Sequence, residues 1–294
     1  MSLCDTPPTD WYPETLHSDF RQMFKIGKVV HEVKTKHQHL IIFDNETFGR
    51  VLALDGVIQL TTKDEFIYTE MMAHVPIFTH GSVDNVLIIG GGDGAILREV
   101  TRHQSIKKIT MVEIDDYVIS LSKIHLPEVS AGAFDDPRVE LIICDAADYI
   151  STTSDKFDII ICDSTDPFGV GAKLFTSDFY KACRDSMTDR GILVCQSGVP
   201  FMQSDELRLI SANLRQSFDH VNFYLAPVPT YIGGFMTLSF VSNHDYSDRN
   251  KEVIPRQKTA DEIVKHFRYY SPEIHRAAFV LPPYIQELIS NYSE

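Results

Sequence analysis

From residue 81 onward, short apolar runs alternate with amphipathic stretches of helical length. Uninterrupted apolar runs are typical of strands buried on both faces, which occur mainly in parallel sheets covered by helices. The pattern therefore predicts an α/β fold with a doubly wound sheet. The predicted strands are residues 85–89, 109–112, 139–143, 157–162, 192–195, 221–225 and 236–241. The predicted helices are residues 95–103, 115–126, 177–187 and 204–218, with Asp115 and Ser177 as N-caps.

The chain before residue 81 consists instead of short β-type runs separated by turn residues. Asp55-Gly56 stands between two such runs and favours a type I′ hairpin, because both turn residues need positive φ. Asp44-Asn45 suggests a second hairpin. We expect a small N-terminal antiparallel β domain over residues 1–78, with a helix over residues 64–78, and a catalytic domain over residues 79–294 that ends in one or two helices.

Acidic residues lie just after the predicted strands. In an open α/β sheet, ligands bind outside the carboxyl ends of the strands. The first strand leads into the glycine-rich stretch 90–94, which permits a sharp turn and the close approach of a ligand. Crowded like charges destabilise a fold unless something positive or donor-rich lies between them. The sequence therefore predicts a site for a nucleoside-type ligand. Its carboxylates are Asp93, Glu113, Asp145, Asp163 and Asp166.

Each of these acids also has an interpretation that needs no ligand. Glu113 follows the glycine turn by roughly the 20 residues at which an acid hydrogen-bonds a ribose diol. It could equally be a helix N-cap or an acid of the first helical turn, where the helix dipole favours negative charge. Asp145 could cap the next helix, and Asp163 and Asp166 could form a turn before Pro167. Their occurrence together at successive strand ends favours the binding site.

Composition excludes several functional classes. The 294 residues include 27 Lys and Arg against 41 Asp and Glu, a formal net charge of −14, so nucleic acid is not an expected partner. No apolar run approaches the roughly 20 residues that span a bilayer, and the N-terminus does not resemble a secretory signal. The five cysteines form no C-x-x-C pair, which predicts free thiols and a cytoplasmic protein. They are Cys4, Cys144, Cys162, Cys183 and Cys195.

Other candidate sites have less support. His37 and His39 could share one face of a strand, but no third ligand stands near them, so a solvated strand is favoured over a metal site. No Ser or Cys stands in a nucleophile-elbow motif. Tyr68 follows an acidic stretch, and Tyr231 lies in a predicted loop near the carboxylates. A structural role is the commoner one for such tyrosines, with substrate contact as the alternative.

Several longer motifs resemble the spermidine synthase (polyamine aminopropyltransferase) family, most of all its bacterial branch. They are Leu54-Asp55-Gly56-Val57-Ile58-Gln59, Asp64-Glu65-Phe66-Ile67-Tyr68-x-Glu70-Met71, the stretch 89–94, Asp163-x-x-Asp166-Pro167, Pro229-Thr230-Tyr231, and in the tail Arg268-Tyr269-Tyr270 and His275-x-Ala277-Ala278-Phe279. The resemblance implies a Rossmann-like, methyltransferase-type fold and a homodimer. It also implies transfer of the aminopropyl group of decarboxylated S-adenosylmethionine to putrescine, giving spermidine and methylthioadenosine. The donor is a co-substrate, so no cofactor is expected.

The same resemblance implies roles for individual residues. Asp163 would act as the general base, and Asp93 would pair with the terminal ammonium of the donor. Glu113 would hold the ribose hydroxyls, and Asp145 with Ala146 would bind the adenine. The remaining implied contacts are Gln38 and Val170 on the donor, and Gln59, Tyr68, Thr69, Ser164, Thr165, Asp166 and Tyr231 on the substrate side.

The chemistry of this reaction suits an acidic site without a metal. An alkyl ammonium has a pKa of about 10.4 and must lose a proton before it attacks carbon, and a carboxylate can take that proton. Positive charge then moves from the sulfonium to the attacking nitrogen, which a fixed carboxylate stabilises. The sequence departs from the family in the gate loop at residues 168–175 and at Thr69, which bears on substrate preference and rate.

Three other functions are weighed against this one. A methyltransferase that uses S-adenosylmethionine on a small amine is disfavoured by the excess of carboxylates. An NAD-dependent dehydrogenase lacks an evident hydride-transfer group beside the glycine turn. A non-catalytic polyamine-binding protein differs only in turnover, which a measurement on an Asp163 variant separates.

Overall fold

The computed structural model describes residues 10–165, 169–247 and 265–290. Its N-terminal part holds a two-stranded sheet of β1 (Trp11–Pro13) and β2 (Met23–Lys25), and a four-stranded antiparallel sheet. The latter consists of β3 (Lys28–Lys34), β4 (His39–Asn45), β5 (Gly49–Leu54) and β6 (Val57–Thr61). Both expected hairpins are present: β4 pairs with β5, and β5 pairs with β6. Asp55 and Gly56 have φ of 48° and 87°, as a type I′ turn requires.

The first long helix, α1 (Glu65–His80), follows β6 and begins after Asp64. It runs through Pro76 and ends two residues later than expected, where Gly81 adopts a left-handed conformation and its N–H bonds the carbonyl of Ile77. This C-cap satisfies a carbonyl that would otherwise lack a partner. Because α1 packs against α2 (Ala95–Thr101) and the central sheet, it brings side chains from its first turns to the carboxyl end of that sheet.

The central sheet has seven strands in the order β12-β13-β11-β10-β7-β8-β9. All seven predicted strands are present: β7 (Asn85–Gly90), β8 (Lys108–Glu113), β9 (Val139–Ile143), β10 (Phe157–Asp163), β11 (Met187–Gln196), β12 (His220–Ala226) and β13 (Met236–Ser242). The parallel arrangement that the apolar runs indicate does not extend to β13, which runs antiparallel to both β11 and β12. The short connection from β12 to β13 makes this pair a hairpin, whereas a parallel pair needs a crossover of a dozen or more residues.

Burial of the strands agrees with the sequence pattern except at one edge. In β7, Val86 and Ile88 belong to one apolar core, and Leu87 and Ile89 belong to another on the opposite face, as the alternation of a strand requires. The edge strand β9 does not follow the expectation of burial on both faces, because Leu141 and Ile143 are 39% and 45% exposed. An apolar run indicates a strand but not its place in the sheet.

The four helices predicted for the larger domain are present close to their predicted positions, and the described residues contain further helices that were given no predicted bounds. Together they are α2, α3 (Asp116–His125), α4 (Pro127–Ser130), α5 (Ala146–Thr152), α6 (Ser177–Asp185), α7 (Ser204–Arg215), α8 (Pro272–Ala278) and α9 (Pro283–Ser290), with 3₁₀ segments at Ala133–Asp135 and Gly169–Phe175. Asp115 caps α3 by accepting the Tyr117 N–H, as expected. The expected cap Ser177 is wrong: the preceding Thr176 is extended, and its side chain accepts the Phe179 N–H.

The cysteines of the described residues are free thiols, as expected: Cys162, Cys183 and Cys195 are buried, and Cys144 is partly buried. Cys4 lies outside the described residues. In the ranges that the structure describes, we find no helix that is long and apolar enough to cross a membrane.

Candidate active site

A pocket opens at the carboxyl ends of β7, β8 and β10, beneath the hairpin of β5 and β6. Four of the five predicted carboxylates line it, and Asp166 lies outside the described residues. The predicted site residues in its wall are Gln38, Gln59, Tyr68, Thr69, Asp93, Glu113, Asp145, Ala146, Asp163, Ser164, Thr165 and Tyr231. Val170 belongs to the 3₁₀ segment Gly169–Phe175, whose Gly171 and Leu174 also line the pocket; the Val170 side chain is not among those described.

The glycine-rich turn brings the end of β7 against the end of β10. Gly90 pairs with Asp163 in the parallel register, and the Gly91 N–H donates to the Asp163 carbonyl at 3.2 Å. Gly90 and Gly91 have φ of 77° and 68°, a conformation that side chains disfavour. A β-carbon at Gly91 would lie 3.1 Å from Asp163 Oδ2. The glycines therefore allow the backbone to pass directly beside the Asp163 carboxylate.

Asp163 and Tyr68 form a hydrogen-bonded pair in this wall. The Tyr68 hydroxyl donates to Asp163 Oδ1 at 2.8 Å, and the Tyr68 side chain is buried. Burial, followed by the nearby Asp163, holds the pKa of Tyr68 well above its usual value, so the phenol remains a neutral donor. The Tyr231 ring stands edge-on to Tyr68 with centroids 5.9 Å apart, and its hydroxyl donates to the Gln59 carbonyl at 2.8 Å.

The carboxylates of the pocket affect one another's protonation. Burial raises the pKa of Asp163 to about 8, with a further rise from the charge of Asp93, while the Tyr68 hydrogen bond acts in the opposite direction. Burial raises the pKa of Glu113 to about 7 and that of Asp93 to about 6. Such shifts arise where carboxylates share a poorly solvated space. The pocket thus has a strong preference for positive charge.

Glu113 is fixed at the start of a helix and also lines the pocket. Its Oε1 accepts the N–H groups of Ile114 and Asp115 at 2.8 and 3.0 Å, which fixes the carboxylate at the start of the next helix. Its Oε2 lies beside Gly92, where a β-carbon would be 2.9 Å away. Gln38 is held on the same side of the pocket, because its Nε2 donates to Asp115 Oδ2 at 3.1 Å.

Asp145 is both a helix cap and a pocket residue. Its Oδ1 accepts the Ala147 N–H at 2.9 Å at the start of α5, so the helix-cap interpretation is confirmed. Its Oδ2 forms an ion pair of 2.8 Å with Lys173 from the 3₁₀ segment. Burial raises the pKa of Asp145, but Lys173 and the backbone donors outweigh this effect, and the net direction is downward. Ala146 is buried in the same wall.

The loop that carries Tyr231 is fixed to the start of α1. Asp64 Oδ2 accepts the Thr230 N–H and the Thr230 hydroxyl at 2.9 and 2.7 Å, and Thr61 donates to its Oδ1 at 2.5 Å. All three side chains are buried. Glu70 anchors the tail in a similar way, because its carboxylate accepts the N–H groups of Arg268, Tyr269 and Tyr270.

Several pocket residues are absent from the sequence prediction. Gln196 ends β11 and lines the pocket, so the inspection of strand ends that found the carboxylates could also have found it. Glu14 is buried in the wall and accepts the Ile58 N–H at 3.0 Å, although nothing in its local sequence points there. Glu65, Val199 and Gln203 also line the pocket and belong to this group.

The candidate metal residues are not gathered into a site. His39 pairs with Glu32 at 2.9 Å, and the described residues contain no cluster of three or more His, Cys, Asp or Glu side chains arranged to hold a metal ion.

The chain matches two family models over most of its length. Residues 65–252 match the model described as spermine/spermidine synthase domain, and residues 10–62 match the one described as spermidine synthase tetramerisation domain.

Curated bacterial relatives are similar over nearly the whole chain. Polyamine aminopropyltransferase 1 of Pseudomonas aeruginosa is 51% identical over 278 residues, which cover 95% of this chain and 97% of the relative. Polyamine aminopropyltransferase of Pectobacterium atrosepticum is 48% identical over 281 residues, covering 96% and 97%.

Solved structures give the same result. A spermidine synthase in complex with the transition state analogue AdoDATO has a TM-score of 0.86 at 36% identity, covering 97% of this chain and 96% of that one. The spermidine synthase of Thermotoga maritima has a TM-score of 0.84 at 36% identity, covering 95% and 94%. The Rossmann-like, methyltransferase-type fold and the family resemblance expected from the sequence are confirmed.

Proposed function

This chain belongs to the spermidine synthase family, and from that premise we propose how its pocket makes spermidine. The enzyme is a polyamine aminopropyltransferase: the aminopropyl group of decarboxylated S-adenosylmethionine moves to putrescine, giving spermidine and methylthioadenosine. The observation that carries our assignment of the site is the Asp163 carboxylate, which receives the Tyr68 hydrogen bond at 2.8 Å beside the glycine turn.

The donor lies along the ends of β7, β8 and β9 in this proposal. Glu113 Oε2 binds the ribose hydroxyls, since Oε1 is occupied by backbone donors. Asp145 and the Ala146 N–H bind the adenine, and Gln38 and Val170 complete the donor site. Asp93 binds the terminal ammonium of the aminopropyl arm, which places the positively charged sulfonium among carboxylates.

The acceptor lies between Asp163 and the loop that carries Tyr231. Tyr68 and Tyr231 confine the attacking amine, and Asp166 binds the ammonium at the far end of the diamine. The remaining substrate contacts in this proposal are Gln59, Thr69, Ser164 and Thr165, all of which line the pocket.

The chemical step needs a base but no acid. Asp163 takes a proton from the ammonium of the acceptor, and the freed nitrogen attacks the methylene carbon next to the sulfonium. A C–N bond forms while the C–S bond breaks, and its electron pair remains on sulfur as a neutral thioether. The new secondary ammonium is stabilised by the carboxylates that attracted the substrate.

The test of this function is product analysis. Purified protein is incubated with putrescine and decarboxylated S-adenosylmethionine, and a parallel sample receives ordinary S-adenosylmethionine. We expect spermidine and methylthioadenosine by mass spectrometry in the first sample alone. A methylated amine in the second sample would assign the chain to the methyltransferases, and binding without turnover would make it a polyamine-binding protein.

The raised pKa of Asp163 predicts a characteristic pH dependence. In the free enzyme this carboxyl is protonated below a pH of about 8. With the donor well below saturation, kcat/KM for putrescine should therefore fall at least tenfold per pH unit on the acid side of that value. The cationic donor and acceptor favour the carboxylate form once bound, which lowers its pKa. We therefore expect the acid limb of kcat to lie at lower pH than that of kcat/KM. Coincident limbs in initial-rate measurements between pH 6 and 9.5 would contradict the assignment.

We propose further that the enzyme is a cytoplasmic homodimer that needs no cofactor beyond its two substrates. Light scattering on the purified protein tests the dimer, and the name of the N-terminal family model makes a tetramer the alternative. The division into domains at residue 78 remains a prediction.

A further inference from the structure

Arg98 and Glu65 form a closely bound ion pair at the edge of the pocket. Arg98 Nη1 donates to Glu65 Oε1 at 3.1 Å, and Nη2 donates to Glu65 Oε2 at 2.9 Å. The side chains are 12% and 7% exposed. A guanidinium that meets a carboxylate at two points fixes its orientation and offsets its charge in a way that a single contact cannot.

Glu65 faces the substrate space, whereas Arg98 lies behind it. Glu65 lines the pocket together with Asp93, and Arg98 is not among the lining residues. The Thr69 hydroxyl also donates to Glu65 Oε2 at 3.0 Å. Both Glu65 oxygens are thus engaged by the protein, while Asp93 has its Oδ1 on the Ala95 N–H at 2.7 Å.

Within the part of the chain that the structure describes, the charges that face Asp93 come from four elements. Glu65 lies at the start of α1, Arg98 on α2, Glu113 at the end of β8 and Asp163 at the end of β10. Three of these groups are acids. Arg98 is the cation among them, and its charge lowers the pKa of Asp93.

We propose that Arg98 is a positioning residue of the donor site: by holding Glu65 at two points, it leaves the Asp93 carboxylate to meet the terminal ammonium of the aminopropyl donor. This inference rests on the proposed function of Asp93. It adds Arg98, which contacts neither substrate in this proposal and acts on the protonation of Asp93 through its pairing with Glu65.

The protonation of Asp93 gives this role a measurable signature. Burial raises the pKa of Asp93 to about 6; the charge of Glu65 raises it further, and Arg98 lowers it. Loss of Arg98 should therefore shift the titration of Asp93 to higher pH, and loss of Glu65 should shift it to lower pH.

The test is the affinity ratio of two nucleosides measured by calorimetry between pH 5 and 9. The comparison nucleoside is 5′-deoxy-5′-dimethylsulfonioadenosine, which keeps the sulfonium of decarboxylated S-adenosylmethionine but lacks the aminopropyl arm and its ammonium. The Kd of this nucleoside divided by the Kd of the donor therefore reports the contacts of the arm, and its change with pH reports the ammonium contact. In the wild type the ratio should decline below about pH 6. In Arg98→Met we expect the midpoint of that decline to rise by about one pH unit, a roughly tenfold weaker preference for the donor at pH 5.5.

Two further variants separate charge from structure. Adding Glu65→Gln to Arg98→Met removes both charges and should return the midpoint to about the wild-type value. Glu65→Gln alone should move it downward, and this variant keeps the test decisive if Arg98→Met does not fold.

Arg102 is the matched control. It also binds Glu99, through Nε at 2.8 Å, as Arg98 does at 2.6 Å, but it forms no ion pair with Glu65 among the described residues. Arg102→Met should leave the midpoint unchanged. Three results would overturn the role of Arg98. The midpoint could shift as far in Arg102→Met as in Arg98→Met, or Arg98→Met could lower the Kd ratio equally at every pH. The third is a double variant whose midpoint does not return to the wild-type value.

Asp93→Asn distinguishes this inference from the proposal beneath it. If Asp93→Asn retains the wild-type ratio, the ammonium is not bound by Asp93 and the proposed donor site is wrong. If Asp93→Asn lowers the ratio and removes its change with pH near 6 while Arg98→Met leaves the midpoint in place, the donor site stands and only the role of Arg98 is wrong.

Discussion

Replacement of Asp163 by asparagine should lower kcat by roughly 10²–10⁴-fold, the usual contribution of a positioned general base. Asparagine is nearly isosteric with aspartate, and its carbonyl oxygen can still accept the Tyr68 hydroxyl that now donates to Oδ1 at 2.8 Å. The amide cannot take a proton from the ammonium of the acceptor. We therefore expect intact folding and donor binding, with the loss confined to turnover.

The measurement is the rate of spermidine formation with both substrates saturating, combined with calorimetric titration of the donor. Asp148→Asn makes the same chemical change on the exposed side of α5 and should retain wild-type activity. A kcat for Asp163→Asn within tenfold of the wild type would show that another group accepts the proton. Loss of donor binding would show that the residue holds the site together rather than acting as the base.

Tyr68→Phe refines the same test. The Tyr68 hydrogen bond lowers the pKa of Asp163, so its removal should move the acid limb of kcat/KM to higher pH. Since the base itself is retained, kcat above that limb should decrease far less than in Asp163→Asn.

The carboxylates of the pocket could be predicted from the sequence because the order and direction of the strands bring them together. Asp93, Glu113, Asp145 and Asp163 are far apart in the chain, but each follows a strand, and parallel strands bring their carboxyl ends to one edge. Strand identity and direction are therefore sufficient to place these four side chains together, without knowledge of any side-chain contact.

Apart from Gln196, which ends a strand, missed residues such as Asp64 and Glu65 are held at the pocket by long-range contacts. Asp64 supports the Tyr231 loop through hydrogen bonds to Thr230, which join segments far apart in sequence. The pairing of Glu65 with Arg98 likewise joins two helices. Local patterns carry no information about such partners, because they depend on how the elements pack.

The errors in the fold prediction have the same origin. The apolar run of β13 does not reveal its direction, which is set by the short connection to β12. The run of β9 does not reveal that the strand lies at an edge, where Leu141 and Ile143 face solvent. Strand existence depends on local sequence, whereas order and direction depend on connections.

Gly90→Ala should have the largest effect on stability among simple substitutions at the site. Gly90 has φ of 77°, and a β-carbon there would overlap the carbonyl oxygen of Asp163 and lie 3.0 Å from its carbonyl carbon. Neither atom is a flexible side-chain end, so β7 and β10 must separate where the site is built. We expect a loss of about 3–5 kcal/mol in the free energy of unfolding, and activity near background even in the folded fraction.

Gly132→Ala is the control that isolates the overlap from the backbone conformation. Gly132 has φ of 82°, but a β-carbon there would meet nothing within 4 Å. This variant should lose only the cost of a left-handed alanine, about 1–2 kcal/mol, which is a decrease of roughly 2–8 °C in Tm. Thermal unfolding followed by circular dichroism, with spermidine formation assayed in parallel, compares the two. Equal decreases in Tm together with wild-type activity in Gly90→Ala would mean that the two strands can separate without disturbing the site. The larger expected loss of stability in Gly90→Ala follows from the strand register, which sets Gly90 opposite Asp163. The same close contact that leaves no room for a side chain at Gly90 also positions Asp163, the proposed base.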